Sequence, residues 1–447
     1  MPSNKRSHNG SGAHHTPRKP MARHARNASS ASAQKNSMPR PQSDGPCPLM
    51  RACGGCEWLG LPYRKQLARK QAAMQELFGP MLASPYSDVR ELEPIFGMGG
   101  RAGDGKIASP RAFRYKAATP FAPGENGEVR CGFFARGTHH IVEVPQCIVE
   151  APGAREVLNG VARIAQELGI SAYDEDSHQG VLRYAVLRLG WKTNQGVLTL
   201  VTSRRDVAQL DQLARRAMEL DPRVTCVAQN INPRVTNAIL GGETRVIAGA
   251  DHMHDKLLGC TFEISPTAFY QTNPQQTELL YQLAIDGMAL KANEVLMDAY
   301  CGSGTIGLCA AADARERGIA ISLVGVERNA AGIADARANA RLNGLEDSCE
   351  FVAKDATEFM LASASEGRRV DVLSIDPPRA GSTPEFLDAA CAMAPRRITY
   401  ISCNPQTQER DLWHLLRCGY RLERLALVDM FPHTTHVETV AVLRHKE

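Results

Sequence analysis

The sequence predicts an α/β protein with a doubly wound, mostly parallel sheet in its C-terminal part and an α+β domain in its centre. From residue 274 onward, strand-like apolar runs alternate with helical patterns, which is typical of parallel strands joined by crossover helices. Between residues 182 and 231, strand-like runs surround one amphipathic segment, which favours an antiparallel sheet with a helix. A chain of 447 residues, 43% of them hydrophobic and 22% charged, can build two or three domains with large cores.

The first 44 residues are predicted to form a disordered basic tail. Residues 1–40 contain eight Lys or Arg and no Asp or Glu, and they show no hydrophobic periodicity. Such a segment buries too little apolar surface to fold alone. It is either a solvated extension without a specific partner or an arm that attracts RNA phosphates.

A cysteine group, Cys47-x5-Cys53-x2-Cys56, opens the ordered part of the chain. Close spacing allows several thiolates to reach one metal centre. A fourth ligand has to come from elsewhere, and Cys131 and Cys147 are the candidates. Spacing alone does not distinguish a zinc site from an iron-sulfur cluster, and three unrelated reduced cysteines are the plain alternative.

In the central region, we expect helices at 66–78 and 207–220 and strands at 182–189, 196–201 and 224–231. Basic side chains on or near these strands are candidates for an RNA-facing surface, although exposed strand positions are often basic without a partner. They are Arg183, Arg188, Lys192, Arg204 and Arg205.

The C-terminal part is predicted to begin with a helix at 275–288. Seven strands should follow, at 295–298, 322–327, 350–353, 370–376, 397–403, 421–429 and 437–443. Ligands of doubly wound sheets bind at the carboxyl ends of the strands. The sequences DAYCGSGT at 298–305, DPPR at 376–379 and SCNP at 402–405 fall at such ends.

The glycine run at 302–307 matches the pattern G-x-G-x-x-G, and Glu327 follows at the distance expected of a ribose-binding acid. This pattern fits a nicotinamide dinucleotide or S-adenosylmethionine, and a tight turn without a ligand is a third reading. A nicotinamide enzyme has no need of a DPPR loop and a strand-end cysteine, Cys403, on successive strands. These two features favour S-adenosylmethionine.

From Cys47 to its end, the chain resembles the RNA uracil-C5 methyltransferase family. The shared motifs are the cysteine group, FYQTNP at 269–274, the three sequences at 298–305, 376–379 and 402–405, and MFPHTTHVE at 430–438. The resemblance implies a class I methyltransferase domain with a Rossmann-like sheet at 266–447. It also implies an RNA-binding α+β domain with an iron-sulfur cluster at 45–265.

By the same resemblance, Cys403 is the nucleophile and Glu438 the general base. Residues expected to contact S-adenosylmethionine are Gln271, Tyr300, Glu327 and Asp376. Ligands expected for a [4Fe-4S] cluster are Cys47, Cys53, Cys56 and Cys147, which leaves Cys131 as a packing residue. Asp376 has other readings, since it could bond the uracil edge, order the nucleophile loop or cap the next segment.

These residue types suit methyl transfer to a pyrimidine. Uracil C5 is a poor nucleophile, and a thiolate that adds to C6 makes C5 an enolate carbon that can accept a methyl group. A carboxylate then removes the C5 proton so that the thiolate can leave. We expect the target uridine to be flipped out of its stack, because the reaction needs access to both faces of the base.

Within the family, members acting on the tRNA T-loop typically lack the cysteine group, whereas ribosomal RNA enzymes carry it. The expected substrate is therefore 23S rRNA, with tRNA or another rRNA uridine as the alternative. Residues 1–44 are too short and polar for the β-barrel that some members carry, so the nearest match is the short, cluster-bearing 23S rRNA subgroup. The basic tail departs from that subgroup's usual start.

Two readings of another class remain from the residues alone. A nicotinamide-dependent oxidoreductase would use the glycine run, and a non-catalytic RNA-binding protein with structural zinc would use the tail and the cysteines. No stretch reaches the roughly 20 apolar residues of a membrane span, and the N-terminus is unlike a signal peptide. We therefore expect a cytoplasmic monomer without a membrane partner, whose thirteen cysteines serve thiol chemistry or metal ligation rather than disulfides.

Overall fold

A computed structural model describes residues 47–101, 104 and 109–446. The predicted tail, residues 1–44, lies outside the described residues. From Cys47 onward the described chain belongs to one compact unit, and the predicted division between 45–265 and 266–447 stays a prediction. No helix in the described ranges combines the length and apolarity needed to span a bilayer.

The helices in these ranges are α1 (Tyr63–Leu82), α2 (Ala154–Glu167), α3 (Leu210–Leu220), α4 (Pro274–Met288), α5 (Thr305–Glu316), α6 (Ala330–Leu342), α7 (Ala356–Ser365), α8 (Pro384–Met393) and α9 (Pro405–Arg417). The strands are β1 (Phe96–Gly97), β2 (Gly100–Arg101), β3 (Lys116–Pro123), β4 (Val129–Phe134), β5 (Ile141–Glu143), β6 (Leu182–Leu189), β7 (Gly196–Thr202), β8 (Val224–Ile231), β9 (Glu243–Gly249), β10 (Met253–Leu257), β11 (Cys260–Ile264), β12 (Glu294–Ala299), β13 (Ile321–Glu327), β14 (Cys349–Ala353), β15 (Val372–Ile375), β16 (Arg397–Ser402), β17 (Tyr420–Val428) and β18 (Glu438–His445).

The larger sheet of the described chain has the order β14-β13-β12-β15-β16-β18-β17-β1-β2. Strands β14, β13, β12, β15 and β16 run parallel, so the predicted doubly wound sheet is confirmed. The order reverses beside β12, and ligands bind at such a switch point. Helices cover both faces, since Leu280 of α4 and Leu308 of α5 lie in one core while Phe386 of α8 and Leu415 of α9 lie in the other.

Strand β18 lies between β16 and β17 and is antiparallel to both. It therefore begins at the edge where β16 ends. Ser402, the last residue of β16, pairs with Thr439. The residues just beyond this pair, Cys403 and Glu438, thus meet at the carboxyl edge of the sheet.

The N-terminal segment adds to this sheet. Strand β1 pairs in parallel with β17, and Leu67 and Phe78 of α1 share a core with Leu412 of α9. The residues that follow the cysteine group therefore pack against the strands that carry the C-terminal motifs.

The second sheet of the described chain has the order β5-β4-β3-β6-β7-β8-β9, with α2 and α3 covering one face. Its pairs are antiparallel except for β7 and β8, which are parallel. The predicted antiparallel arrangement is thus wrong for this pair. The reason is α3, because a crossover helix lets the chain return in the same direction.

Two residues of the predicted RNA-facing row of basic side chains are buried. Arg183 is 1% exposed and donates to the Glu175 carboxylate, and Arg188 is 4% exposed and donates to the carbonyl of Pro266 at 2.8 Å. Lys192 forms an ion pair with Glu278, and Arg205 forms one with Glu243. The prediction of an RNA-facing row is therefore wrong for the buried Arg183 and Arg188, whereas it stays a prediction for Lys192, Arg204 and Arg205, which are exposed.

Candidate active site

One cleft of about 780 Å³ opens at the carboxyl ends of the parallel strands. All six residues predicted for catalysis and cofactor binding line it: Cys403, Glu438, Gln271, Tyr300, Glu327 and Asp376. A volume of this order is typical of small-molecule and cofactor sites. The structure thus brings together residues that are up to 167 positions apart in sequence, from 271 to 438.

The turn between β12 and α5 forms one wall of the cleft. Tyr300, Gly302 and Gly304 all have positive φ, at 64°, 55° and 79°. Glycine adopts this conformation without a steric cost, and its missing side chain lets a ligand approach the backbone. The carboxylate of Asp298 stabilises the turn by accepting a hydrogen bond from the N–H of Gly307 at 2.9 Å.

Glu327 ends β13 and lines the cleft together with Gly302 of this turn. Its carboxylate accepts the N–H of Asn329 at 2.7 Å, which fixes the side chain. A cavity of about 120 Å³ adjoins the cleft and shares Gly302 and Glu327 with it. A side chain at Gly332 would meet the carbonyl oxygen of Gly302 at 3.1 Å, so glycine at this position keeps α6 close to the turn. An acid in this place suits the hydroxyls of a ribose.

Cys403 is held by the turn that leads from β16 into α9. The Ser402 hydroxyl accepts the N–H of Asn404 and donates to its carbonyl, both at 3.1 Å. Pro405 occupies the first turn of α9, where a missing N–H has no cost. The thiol therefore lies near a helix N-terminus, whose partial positive charge favours a thiolate.

The DPPR loop is tied to this turn. The Asn404 side-chain amide donates to the carbonyl of Arg379 at 2.8 Å, and the Thr407 hydroxyl donates to the same carbonyl at 3.2 Å. Burial raises the pKa of Cys403 overall, and the nearby guanidinium of Arg379 opposes that rise. The DPPR motif can be recognised in the sequence, but only the folded loop places Arg379 near Cys403.

The cleft concentrates acidic groups. Burial, followed by the charge of Asp298, raises the pKa of Asp376 to about 7. Burial, followed by the charge of Asp376, raises the pKa of Glu438 to about 8, against a lowering effect of Arg379. Burial also raises the pKa of Cys403, and Glu438 and Asp376 add to the rise. These groups resist ionising together, so the cleft favours a cationic ligand.

Several groups at the cleft were not predicted from the sequence. Phe269 is 65% exposed, and a free aromatic face is a platform on which a base can stack. Lys116 reaches the cleft from β3 in the other sheet, and burial, followed by Arg188, lowers its pKa to about 8. No local pattern marks Lys116, because tertiary packing alone brings β3 here. Arg328 and His436 also line the cleft.

The loop before Glu438 is anchored by the N-terminal segment. Lys70 of α1 donates to the carboxylate of Asp429 at 2.5 Å and to the carbonyl of His436 at 2.7 Å. The backbone N–H groups of Glu57 and Trp58 both donate to the carbonyl of His433 at 2.9 Å. Since Glu57 directly follows Cys56, the cysteine group and the cleft are joined by a short series of hydrogen bonds.

The four cysteines predicted as cluster ligands line one mostly apolar cavity: Cys47, Cys53, Cys56 and Cys147. Cys131 lies elsewhere, and its thiol donates to the side-chain oxygen of Asn159 at 3.3 Å. In the described ranges, two groups of three side chains have possible metal-ligand atoms that all lie within 4.8 Å of one another. Neither group contains any of these four cysteines. The N–H of Gly55 donates to Cys53 Sγ at 3.3 Å. Thiols that converge on a shielded cavity fit a polynuclear cluster.

Comparison with known proteins agrees with this site. A family model described as tRNA (uracil-5-)-methyltransferase matches residues 243–446. An uncharacterized RNA methyltransferase of Halalkalibacterium halodurans is 36% identical over 403 residues, which are 90% of this chain and 84% of the relative. One from Staphylococcus aureus is 36% identical over 401 residues, with the same coverage of 90% and 84%. The crystal structure of Pyrococcus abyssi tRNA (uracil-54, C5)-methyltransferase in complex with S-adenosyl-L-homocysteine has a TM-score of 0.68 and 26% identity, covering 89% of this chain and 86% of that one.

The doubly wound sheet and its cleft are those of an S-adenosylmethionine-dependent methyltransferase. The chain belongs to the tRNA (uracil-5-)-methyltransferase family of RNA uracil-C5 methyltransferases. The family resemblance found in the motifs is therefore confirmed. Its cofactor is S-adenosylmethionine, so the protein is a methyltransferase rather than a nicotinamide oxidoreductase or a non-catalytic RNA-binding protein.

Proposed function

We propose that this enzyme methylates C5 of a uridine in 23S rRNA in the cytoplasm, with Cys403 as nucleophile and Glu438 as general base. The observation that carries the proposal is the meeting of these two residues at one sheet edge. Their strands are antiparallel neighbours, and Ser402 and Thr439 form the adjoining pair. Both side chains line the same cleft as the four residues assigned to the methyl donor.

The proposed reaction follows from this placement. The Cys403 thiolate adds to C6 of uracil, and the electron pair of the C5–C6 double bond moves toward O4 as an enolate. S-adenosylmethionine, when bound, supplies a methyl group on a cationic sulfonium, and C5 takes that methyl group. Glu438 then removes the C5 proton, the double bond re-forms, and the S–C6 bond breaks to release the thiolate.

The remaining cleft residues have proposed roles toward the donor and the base. Gln271, Tyr300, Glu327 and Asp376 would contact S-adenosylmethionine, with Glu327 accepting from the ribose. The positive sulfonium would offset the acidic groups and lower the pKa of Cys403. Binding of the donor would thus prepare the nucleophile. Phe269, at the exposed rim, would stack on a base of the unpaired RNA segment.

The cysteine cavity supports a [4Fe-4S] cluster held by Cys47, Cys53, Cys56 and Cys147. The four thiols line one shielded, mostly apolar cavity, which suits a cluster bound by thiolates. Methyl transfer needs no electron, so we assign the cluster a structural role. It would order the segment at Glu57 and Trp58, which holds the loop before Glu438.

Iron and acid-labile sulfide analysis of anaerobically purified protein tests this assignment. We expect close to four of each per chain. Stoichiometric zinc without iron would overturn it. A Cys131→Ser variant should retain its iron, whereas Cys147→Ser should lose it.

A tRNA substrate is the second candidate, because the structural relative with 26% identity acts on tRNA uracil-54. The cysteine cavity favours 23S rRNA through the subgroup resemblance. Purified enzyme should be incubated with labelled S-adenosylmethionine and, separately, with 23S rRNA and tRNA that lack 5-methyluridine. Label in 23S rRNA alone supports the proposal, label in tRNA alone overturns the substrate, and label in neither with intact cluster overturns the function. Mapping 5-methyluridine in a deletion strain would identify the position.

A further inference from the structure

We propose that Cys391, His414 and Cys418 form a second metal site, separate from the cysteine cavity and the cleft, that binds a thiophilic divalent cation such as Zn²⁺. One possible ligand atom from each of the three side chains lies within 4.8 Å of the other two. A tetrahedral zinc ion with Zn–S bonds of about 2.3 Å and a Zn–N bond of about 2.0 Å places its ligands roughly 3.5 to 3.8 Å apart. Small side-chain rotations therefore suffice to bind the ion.

The secondary structure explains why these side chains meet. His414 lies in the last turn of α9, and Cys418 is its C-cap four positions later, so the two residues share one face of the helix. Cys391 lies in the last turn of α8, which packs beside α9. Metal sites between helices are commonly built in this way, from side chains on facing turns.

The surroundings also favour a cation. Two helices, α8 and α9, end at this place, and the carbonyl end of a helix carries a partial negative charge. Asp388 on α8 has Oδ1 at 2.7 Å from His414 Nε2. Such a carboxylate contact fixes an imidazole ring and increases its basicity toward a metal. All three ligand residues are partly exposed, so an ion can enter and water can complete its coordination.

The position of the site indicates a structural role. Helices that follow parallel strands run back along the sheet, so their C-terminal ends lie at the edge opposite the cleft. Helix α8 follows the DPPR loop and α9 follows the Cys403 turn. A metal bound at the C-terminal ends of both helices would hold α8 and α9, and with them the DPPR loop and the Cys403 turn, in fixed relative positions. This proposal does not depend on the RNA substrate or on the roles of the catalytic residues.

Metal analysis of the full-length protein, with its iron content measured in the same sample, tests the proposal. Zn²⁺ is added in slight excess and removed by gel filtration. Wild type should retain one more zinc per chain than a Cys391→Ser/Cys418→Ser variant, at equal iron content. A Cys349→Ser variant, which removes a partly buried cysteine outside both groups, should match wild type. Zn²⁺ should raise the melting temperature of wild type and of Cys349→Ser but not of the double variant.

Further measurements separate the alternatives and guard against misfolding. Co²⁺ should give a thiolate-to-cobalt charge-transfer band that His414→Asn weakens, and Asp388→Asn should reduce Zn²⁺ affinity by roughly 10- to 100-fold. Equal zinc retention by wild type and the double variant would overturn the proposal. It is also overturned if wild type contains a reducible Cys391–Cys418 disulfide and takes up no zinc after reduction.

Discussion

The side-chain amide of Asn404 donates a hydrogen bond to the main-chain carbonyl of Arg379 at 2.8 Å. Asn404, which follows the proposed nucleophile Cys403, thereby holds the loop that carries Arg379. The guanidinium of Arg379 lies near the Cys403 thiol. The loop that carries Arg379 is thus held by the turn that begins α9, directly beside Cys403.

Replacing Asn404 with Ala should slow methylation by roughly 10- to 100-fold with little loss of stability. The lost hydrogen bond contributes about 1 kcal/mol, and Thr407 still holds the Arg379 carbonyl.

Arg379→Ala should raise the pKa of Cys403 further, since the guanidinium of Arg379 opposes the rise that burial causes. Alkylation rates of Cys403 across pH measure that shift, with the exposed Arg317→Ala as the matched control. An unchanged profile in Arg379→Ala would refute this role.

Cys403→Ala should abolish both turnover and any covalent RNA adduct. Glu438→Gln should still form the S–C6 bond but retain the C5 proton, so the methylated adduct should accumulate. Denaturing gels with labelled RNA and mass spectrometry of the adduct check both outcomes. Full activity in Cys403→Ala, or normal product release from Glu438→Gln, would contradict the assignments.

A cation in the donor site should activate Cys403. Burial and the nearby Glu438 and Asp376 raise the pKa of this thiol, and a positive charge opposes the effect of both acids. At pH 7, a donor analogue with an ammonium group in place of the sulfonium should speed alkylation of Cys403 several-fold. The uncharged thioether S-adenosylhomocysteine is the control and should not. Equal rates with both ligands would count against donor-dependent activation.

Glu438→Gln should stabilise the protein at alkaline pH. The pKa of Glu438 is raised to about 8 in the folded protein, above its usual value. The protonated carboxyl therefore stabilises the folded state at low pH, and this stabilisation is lost as the pH rises toward 8. At pH 8.5 the variant should gain on the order of a few kcal/mol over wild type, and near pH 4 little. Urea unfolding at both pH values measures this, with the exposed Glu366→Gln as control. A gain that is equal at both pH values would exclude the electrostatic cause.

Lys70→Met should destabilise the protein by roughly 3 to 5 kcal/mol, because it leaves the buried Asp429 carboxylate without its cation. The double variant Lys70→Met/Asp429→Asn should recover much of the loss, since Asn still accepts the Tyr63 hydroxyl. Thermal unfolding reports the effect. No recovery in the double variant would show that the side chain of Lys70 matters for packing rather than for charge.

The seven strands of the larger sheet from β12 to β18 could be predicted closely, because strands buried on both faces form apolar runs between turns. Predicted strand 397–403 differs from β16 only in that Cys403 lies just beyond it. The parallel pair of β7 and β8 and the buried positions of Arg183 and Arg188 could not be predicted. Whether an arginine is buried depends on partners such as Glu175 and the Pro266 carbonyl, which come from other elements.

The doubly wound sheet, the family and six residues of the cleft could be recognised in the sequence, since periodicity and motifs are local properties of the chain. How those residues act on one another depends on the tertiary structure. The meeting of Cys403 with Glu438 depends on the antiparallel insertion of β18, and the place of Lys116 at the cleft depends on packing between sheets. Electrostatic effects follow distance and burial, which no linear pattern contains.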